Sequence, residues 1–305
     1  LTIFTDDSAM QIHPIDLHFQ GQTEIIAAYL IESGKDLALI ETGPGSTLPK
    51  LLEGIRTLGF APEAVKHVFV THIHLDHSGA AGWWAQQGAT VYAHPRAVPH
   101  LVDPSKLIES AQRIYQDRMQ PLWGDILPAP AERVVALQDG QVVKVGKTAI
   151  TAIDTPGHAR HHHAYSCGDV CFTGDVAGMK LPHSSYISVT AAPPQFDPVA
   201  YGDSLQRLHA AGFAKLYLTH FGEVTDVSGH LSRYASRVEQ VFDCVAGLLE
   251  QGLKGDALRK AYGKIEHAIA TQAGVSDTDW ARYEGANNTA MCADGIALFC
   301  EKSPK

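Results

Sequence analysis

The chain has 305 residues, a formal net charge of −9, 45% hydrophobic and 19% charged residues, a balance that excludes disordered, collagen-like and low-complexity classes. The acidic excess of 33 Asp+Glu over 24 Lys+Arg disfavours a phosphate-backbone binder. No run approaches about 18 apolar residues, so no membrane span is expected, no export signal is expected from residues 1–7, which lack a basic start and a long apolar run, and five sparse cysteines suit a reducing cytoplasm better than a disulfide framework. The informative excess is histidine, 17 in number.

In chain order, residues 24–32 and 36–41 read as two strands joined by Ser33-Gly34-Lys35. Leu48, Leu51, Leu52, Ile55 and Leu58 recur at helical spacing until Gly59. Residues 65–70 and 90–93 are expected as strands, with a short helix holding Trp83 and Trp84 between them and both tryptophans in the core. Residues 105–119 read as a helix, and residues 133–137, 141–145 and 148–154 as a meander turning at Asp139-Gly140. Two further short strands, 170–173 and 215–219, flank a Pro-rich loop and a helix over about 198–211. Beyond 226–229 nearly everything reads as helix, and Leu231, Tyr234, Val238, Val241, Val245 and Leu248 form an apolar seam. That seam is expected to pack on the chain itself, with a homodimer contact as the alternative. The order of elements predicts an α/β fold with helices covering sheets, divided into residues 1–228 and a helical extension at 229–305.

The chemistry lies in Thr71-His72-Ile73-His74-Leu75-Asp76-His77. Histidines two apart on a chain leaving a strand turn their rings to one side, so one metal can take both, whereas helical zinc motifs use a spacing of about four. Asp76 and His77 follow where the chain turns and can face a neighbouring ion. Three other strand ends deliver matching groups: His158 after Thr155-Pro156-Gly157, Asp175 after Thr173-Gly174, and His220 after Leu218-Thr219. Loops at one sheet edge are where sites are assembled. The seven residues His72, His74, Asp76, His77, His158, Asp175 and His220 suit two metal ions sharing one carboxylate.

With THIHLDH, TPGH, TGD and LTH standing in this order, the chain resembles the metallo-β-lactamase fold superfamily of metallohydrolases over roughly residues 12–221. The resemblance implies an αββα sandwich. It implies that His72, His74 and His158 hold one ion, Asp76, His77 and His220 a second, and that Asp175 bridges. Leu39-Ile40-Glu41-Thr42-Gly43 resembles the family's opening motif, with Glu41 where Asp is usual. The C-terminal helices resemble in position the tail with which glyoxalase-II-like members cover substrate. Two divalent ions are expected, zinc first and iron or manganese acceptable to the same ligands. The expected activity is hydrolysis of a small ester, thioester or lactone by a hydroxide held between the ions and oriented by Asp76. A single-iron persulfide-dioxygenase-like enzyme and a nuclease of the same fold are the alternatives.

Other residues invite assignment. One of His161, His162 and His163 is expected to support the ligands, with His162 where the family often has another His. Cys167 and Cys171 read as buried thiols beside a turn, His94 and His100 as structural, and Asn287-Asn288-Thr289 as a chance glycosylation motif. The long segment 178–198 follows Asp175 directly, so His183, Ser184, Ser185 and Tyr186 are candidates for touching substrate. In lactonase-like relatives a tyrosine of a comparable loop assists the carbonyl. By that resemblance Tyr186 is expected to donate to the developing oxyanion, with His183 as the competing proton donor.

Overall fold

The computed structural model describes residues 10–302; the expectation about an export signal in residues 1–7 lies outside them. The strands belong to two sheets, and the chain divides into two compact units. The first holds the described residues up to Asp154 together with His163–Gly168; the second holds Thr155–His162 and the described residues from Asp169 on.

The first unit begins with β1 (Gln11–Asp16), β2 (Ala27–Ser33) and β3 (Asp36–Ile40), each antiparallel to the one before. Helix α1 (Leu48–Thr57) buries Leu51 and Ile55 and leads to β4 (Val65–Phe69), which is parallel to β3. After α2 (Leu75–Ser78) and α3 (Ala81–Gln86), β5 (Thr90–Ala93) adds in parallel to β4. Tyr29, Leu30, Ile31, Leu39, Ile40, Val68, Phe69 and Val91 are buried. Such continuous apolar runs are what strands covered on both faces require. Trp84 is among the largest fully buried side chains, and Trp83 is half-buried beside it.

Helix α4 (Val98–Val102) is followed by α5 (Ser105–Tyr115), shorter than expected because Gln116 takes a positive φ of 49° and the chain restarts as α6 (Met119–Trp123). β6 (Val134–Ala136) corrects the expected meander: it pairs in parallel with β5, and Leu137 N–H continues that ladder to the Ala93 carbonyl. β7 (Val142–Val145) and β8 (Thr148–Asp154) do form a hairpin. The Asp139-Gly140 turn serves that hairpin: Gly140 N–H bonds the Ala152 carbonyl of β8, so the turn does not close on β6. β9 (His163–Cys167), antiparallel to β8, ends the unit.

In the second unit β10 (Val170–Gly174), α7 (Pro198–Ala211) and β11 (Lys215–Leu218) form a strand-helix-strand with β10 and β11 parallel, and β12 (Gly222–Val224) turns back on β11. Asp197 caps α7 through the N–H groups of Val199 and Ala200, and left-handed Gly212 ends it. Helices α8 (Val227–Glu250), α9 (Gly255–Gln272), α10 (Asp277–Ala286) and α11 (Thr289–Lys302) follow. All six residues of the seam on α8 are buried within the chain. The loop after β10 is backed by the last helices. Asn287 donates to Ser188 Oγ at 2.8 Å and to the Val189 carbonyl at 2.9 Å, and a Cβ at Gly295 would meet the Ala191 carbonyl oxygen at 1.9 Å. Among the described residues no helix is long and apolar enough to cross a membrane.

Candidate metal centre

In the first unit the ligand loop leaves the C-terminal end of β4, the edge at which parallel strands present their sites. The loop is bent through residues 71–74, and His74 caps α2 with an extended backbone, so Asp76 and His77 ride on the first helical turn. The expected gathering of rings is observed: His72 lies 4.4 Å from His74 and 4.1 Å from His77, centroid to centroid. His72 and His77 are fully buried, and His77 Nε2 is 3.6 Å from Asp76 Oδ2.

Glu41 organises this loop. It sits at a positive φ of 66°, rare outside glycine and typical of functional positions, and it is fully buried. Its Oε1 accepts from Thr71 Oγ1 at 2.6 Å and from His77 Nδ1 at 2.9 Å, and its Oε2 from Thr71 N–H at 3.2 Å. The one hydroxyl proton of Thr71 goes to Glu41, so at the 3.0 Å contact with His72 Nδ1 the histidine donates. Both rings therefore carry their proton on Nδ1, the tautomer in which Nε2 is able to ligate a metal. The Glu that departs from the family's usual Asp thus acts as the orienting carboxylate. Strand β9 steadies the loop backbone: His163 N–H bonds the Thr71 carbonyl at 2.8 Å, and Tyr165, whose hydroxyl burial keeps protonated, donates to the Val70 carbonyl at 3.0 Å.

His94, Asp154 and His163 also come within ligand range of one another in this unit. Arg96 N–H, however, donates to His94 Nδ1 at 3.0 Å, which leaves the proton on Nε2, 3.4 Å from Asp154 Oδ1. A neutral imidazole has one lone pair. His94 therefore pairs with Asp154 as a donor, in keeping with its expected structural role.

In the second unit the parallel register of β10 and β11 brings Asp175 and His220 out at the same edge. His220 Nε2 lies 3.4 Å from Asp175 Oδ1, and His158 Nε2 3.3 Å from Asp175 Oδ2. His158 Nδ1 donates to the Thr190 carbonyl at 3.0 Å. Its remaining lone pair therefore faces a carboxylate oxygen, and a cation, either a proton or a metal ion, must lie between them. All three residues are buried. This donor set of imidazole nitrogens around a carboxylate that offers one oxygen to each fits a divalent metal. His162 supports Asp175 as expected: its Nδ1 bonds Thr155 Oγ1 at 2.8 Å and its Nε2 accepts from Asp175 N–H at 3.1 Å.

The substrate loop differs from expectation. Tyr186 is 3% exposed, its hydroxyl donates to Glu266 Oε2 at 2.7 Å, and it packs with Met179, Leu181, Ala270 and Tyr283. Burial and the Glu266 carboxylate push its phenol upward, and Arg237 both lies over its ring and pairs with Glu266 at 2.6 Å. A hydroxyl so engaged is a tether of the loop to α8 and α9 and not a donor to an oxyanion. His183 is exposed at a positive φ of 63° and is not drawn to Asp175 by any described hydrogen bond or ion pair. Cys167 and Cys171 are buried thiols, as expected.

Thr71 bonds Glu41 and His72, the Thr190 carbonyl takes the His158 proton, and Tyr201 donates to the Asp175 carbonyl with Tyr234 beside it; sequence reading passed over all four. Thr71 stands directly before the histidine motif, a signal that was available. Tyr201 and Tyr234 sit at ordinary core positions of helices, where nothing local distinguishes them.

The profile of the Metallo-beta-lactamase superfamily matches residues 22–220. A metallo-beta-lactamase fold-containing protein, ST1585 of Sulfurisphaera tokodaii, is 26% identical over 243 residues, covering 78% of this chain and 87% of its own length. The crystal structure of ST1585 superposes with a TM-score of 0.66 at 20% identity, over 94% of this chain and 98% of that one. PksB of Bacillus subtilis, a probable polyketide biosynthesis zinc-dependent hydrolase, is 27% identical over 54% of this chain and 60% of its own. AacuM of Aspergillus aculeatus, an atrochrysone carboxyl ACP thioesterase, is 26% identical over 72% of this chain and 58% of its own. With its two sheets, its helices and a profile match across most of its length, this chain belongs to the metallo-β-lactamase superfamily, a family of metal-dependent hydrolases.

Proposed function

We propose that this metal-dependent hydrolase uses two divalent ions, zinc first among them, to hydrolyse a small ester, thioester or lactone. The observation that carries the reading is Asp175, whose two oxygens each face a histidine Nε2, at 3.3 and 3.4 Å. By the family's ligand pattern His72, His74 and His158 would hold one ion and Asp76, His77 and His220 the other, with Asp175 shared. Ions held by such ligands lower the pKa of water and polarise a carbonyl. Glu41 holds the Nδ1 proton of His77 and, through Thr71, that of His72, which keeps both rings in the ligating tautomer. The Thr190 carbonyl does the same for His158, and His162 holds the Asp175 backbone N–H. Residues 1–228 would form the catalytic domain and residues 229–305 its helical extension. The zinc-dependent hydrolase and the thioesterase among the relatives support an acyl substrate, and the net charge of −9 argues against nucleic acid.

The test is metal analysis after reconstitution, followed by a panel of lactones, thioesters and bis(p-nitrophenyl) phosphate. About two ions per chain and faster turnover of acyl substrates are expected, with His220→Ala losing mainly one ion. A firm limit of one ion with oxygen consumption would replace this reading by the single-iron oxygenase. Preference for the diester would replace the substrate class.

A further inference from the structure

We infer that Thr190, Tyr201 and Tyr234 form a set of neutral positioning residues that aims Asp175 and His158 for metal binding. The inference rests on reading those two residues as ligands.

Two hydroxyls, those of Tyr201 and Thr190, converge on the Asp175 carbonyl, and the Tyr234 hydroxyl backs them. Tyr201 donates to the Asp175 carbonyl at 2.8 Å, beside the Gly178 N–H at 3.0 Å. The single proton of Tyr201 being spent there, the 2.8 Å contact with Tyr234 requires Tyr234 to donate to Tyr201. Tyr234 in turn accepts from Thr190 N–H at 3.4 Å. Thr190 Oγ1 donates to the Asp175 carbonyl at 3.0 Å and stands 2.8 Å from the Tyr201 oxygen. The direction is thus fixed: every hydroxyl proton of the set points toward Asp175. Thr190 closes the system on the other ligand, since its carbonyl takes the Nδ1 proton of His158 at 3.0 Å.

The backbone is shaped for this arrangement at two glycines. Gly157, immediately before His158, has φ +135°, and a Cβ there would lie 2.4 Å from Tyr201 Cα. Gly178, in the turn after Asp175, has φ +76°, and a Cβ there would lie 2.3 Å from the Tyr234 ring. Each ligand loop leans directly on one of the two tyrosines, at a conformation that side chains other than glycine rarely adopt. A small rotation of the Asp175 peptide would turn both carboxylate oxygens at once, and the set resists that rotation without placing a charge beside the ions.

The test measures zinc affinity by chelator competition and the electronic spectrum of the cobalt-substituted protein, alongside the melting temperature of each metal-free variant. Tyr201→Phe and Thr190→Val are expected to weaken zinc binding about tenfold and to alter the cobalt spectrum, the usual consequence of losing an outer partner of a ligand. Tyr234→Phe should have a smaller effect. Thr190→Ser keeps the hydroxyl and should restore wild-type affinity. Tyr283→Phe is the control, because it removes a buried tyrosine hydroxyl of the same unit, bonded to Leu181 N–H and the Tyr186 carbonyl, outside the set. Wild-type affinity and spectrum in Tyr201→Phe and Thr190→Val, with only a loss of melting temperature like that of Tyr283→Phe, would overturn the inference. If Tyr201→Phe does not fold, the Val and Ser variants at Thr190 decide. A wild-type protein that takes up no metal would instead remove the ligand reading itself.

Discussion

The two units orient the histidines proposed as metal ligands by opposite means. In the first, a buried carboxylate does it: Glu41 gathers Thr71 and His77 directly and His72 through Thr71, all within the loop and the strand end beside it. In the second, the partners are neutral and far apart in sequence: the Thr190 carbonyl for His158, and the His162 imidazole and the Tyr201 hydroxyl for the Asp175 backbone. A carboxylate raises ligand basicity, but when it is removed several donors are stranded in a dry interior. Hydroxyl and carbonyl partners hold more weakly one by one and fail more gently. The first arrangement is therefore expected to be brittle and the second graded.

The largest effect should come from Glu41→Ala, which leaves the Thr71 N–H, the Thr71 hydroxyl and the His77 Nδ1–H without their acceptor. A stability loss of about 3–5 kcal/mol is expected in chemical denaturation. A loss below about 1 kcal/mol would mean that water replaces the carboxylate and that the contrast between units is false.

Acid should find the titratable point of the second unit. His230 of α8 is fully buried, and its Nε2 donates to the Ala177 carbonyl at 2.9 Å. Burial lowers its pKa to about 4 from 6.5. The unfolded chain therefore binds this proton first. The stability contributed by neutral His230 is complete above pH 6.5 and falls as pH drops toward about 4, by about 3 kcal/mol. His230→Gln should flatten that part of the stability profile relative to wild type. An unchanged slope would assign the acid sensitivity to other groups.

Tyr186→Phe comes next, since it removes a hydrogen bond to a buried carboxylate and should cost about 1.5–3 kcal/mol while leaving kcat near wild type. A large fall in kcat with full stability would return Tyr186 to the reacting centre. The smallest effect is expected for exposed His183→Ala, within about 0.5 kcal/mol and without change in the pH profile of turnover.

The contrast between the units also explains what could be read from the sequence. His72, His74, Asp76 and His77 announce themselves because ligand spacing and strand end coincide within a few residues. The seam of α8 is legible because six core positions repeat on one face. β1 was not, since Pro14 interrupts a six-residue run, and β9 was hidden by histidines that read as ligand support. β6 was seen as a strand but assigned the wrong neighbour, because a turn at Asp139-Gly140 does not reveal which strand its backbone will bond. Tyr186 misled for the same kind of reason. A tyrosine after Asp175 is visible in sequence, whereas Glu266, which takes its hydroxyl, lies 80 residues away on α9.

The backing of the loop after β10 has a consequence for how the chain matures. Asn287 and Gly295 seat the Ser188–Ala191 stretch, and they belong to the last part of the described chain to be synthesised. The first unit has most of its partners once β9 has emerged from the ribosome. Thr190, which takes the His158 proton, gains its full backing only after α11 has followed. A nascent chain would thus have the partners of its histidine loop before those of its Asp175 loop.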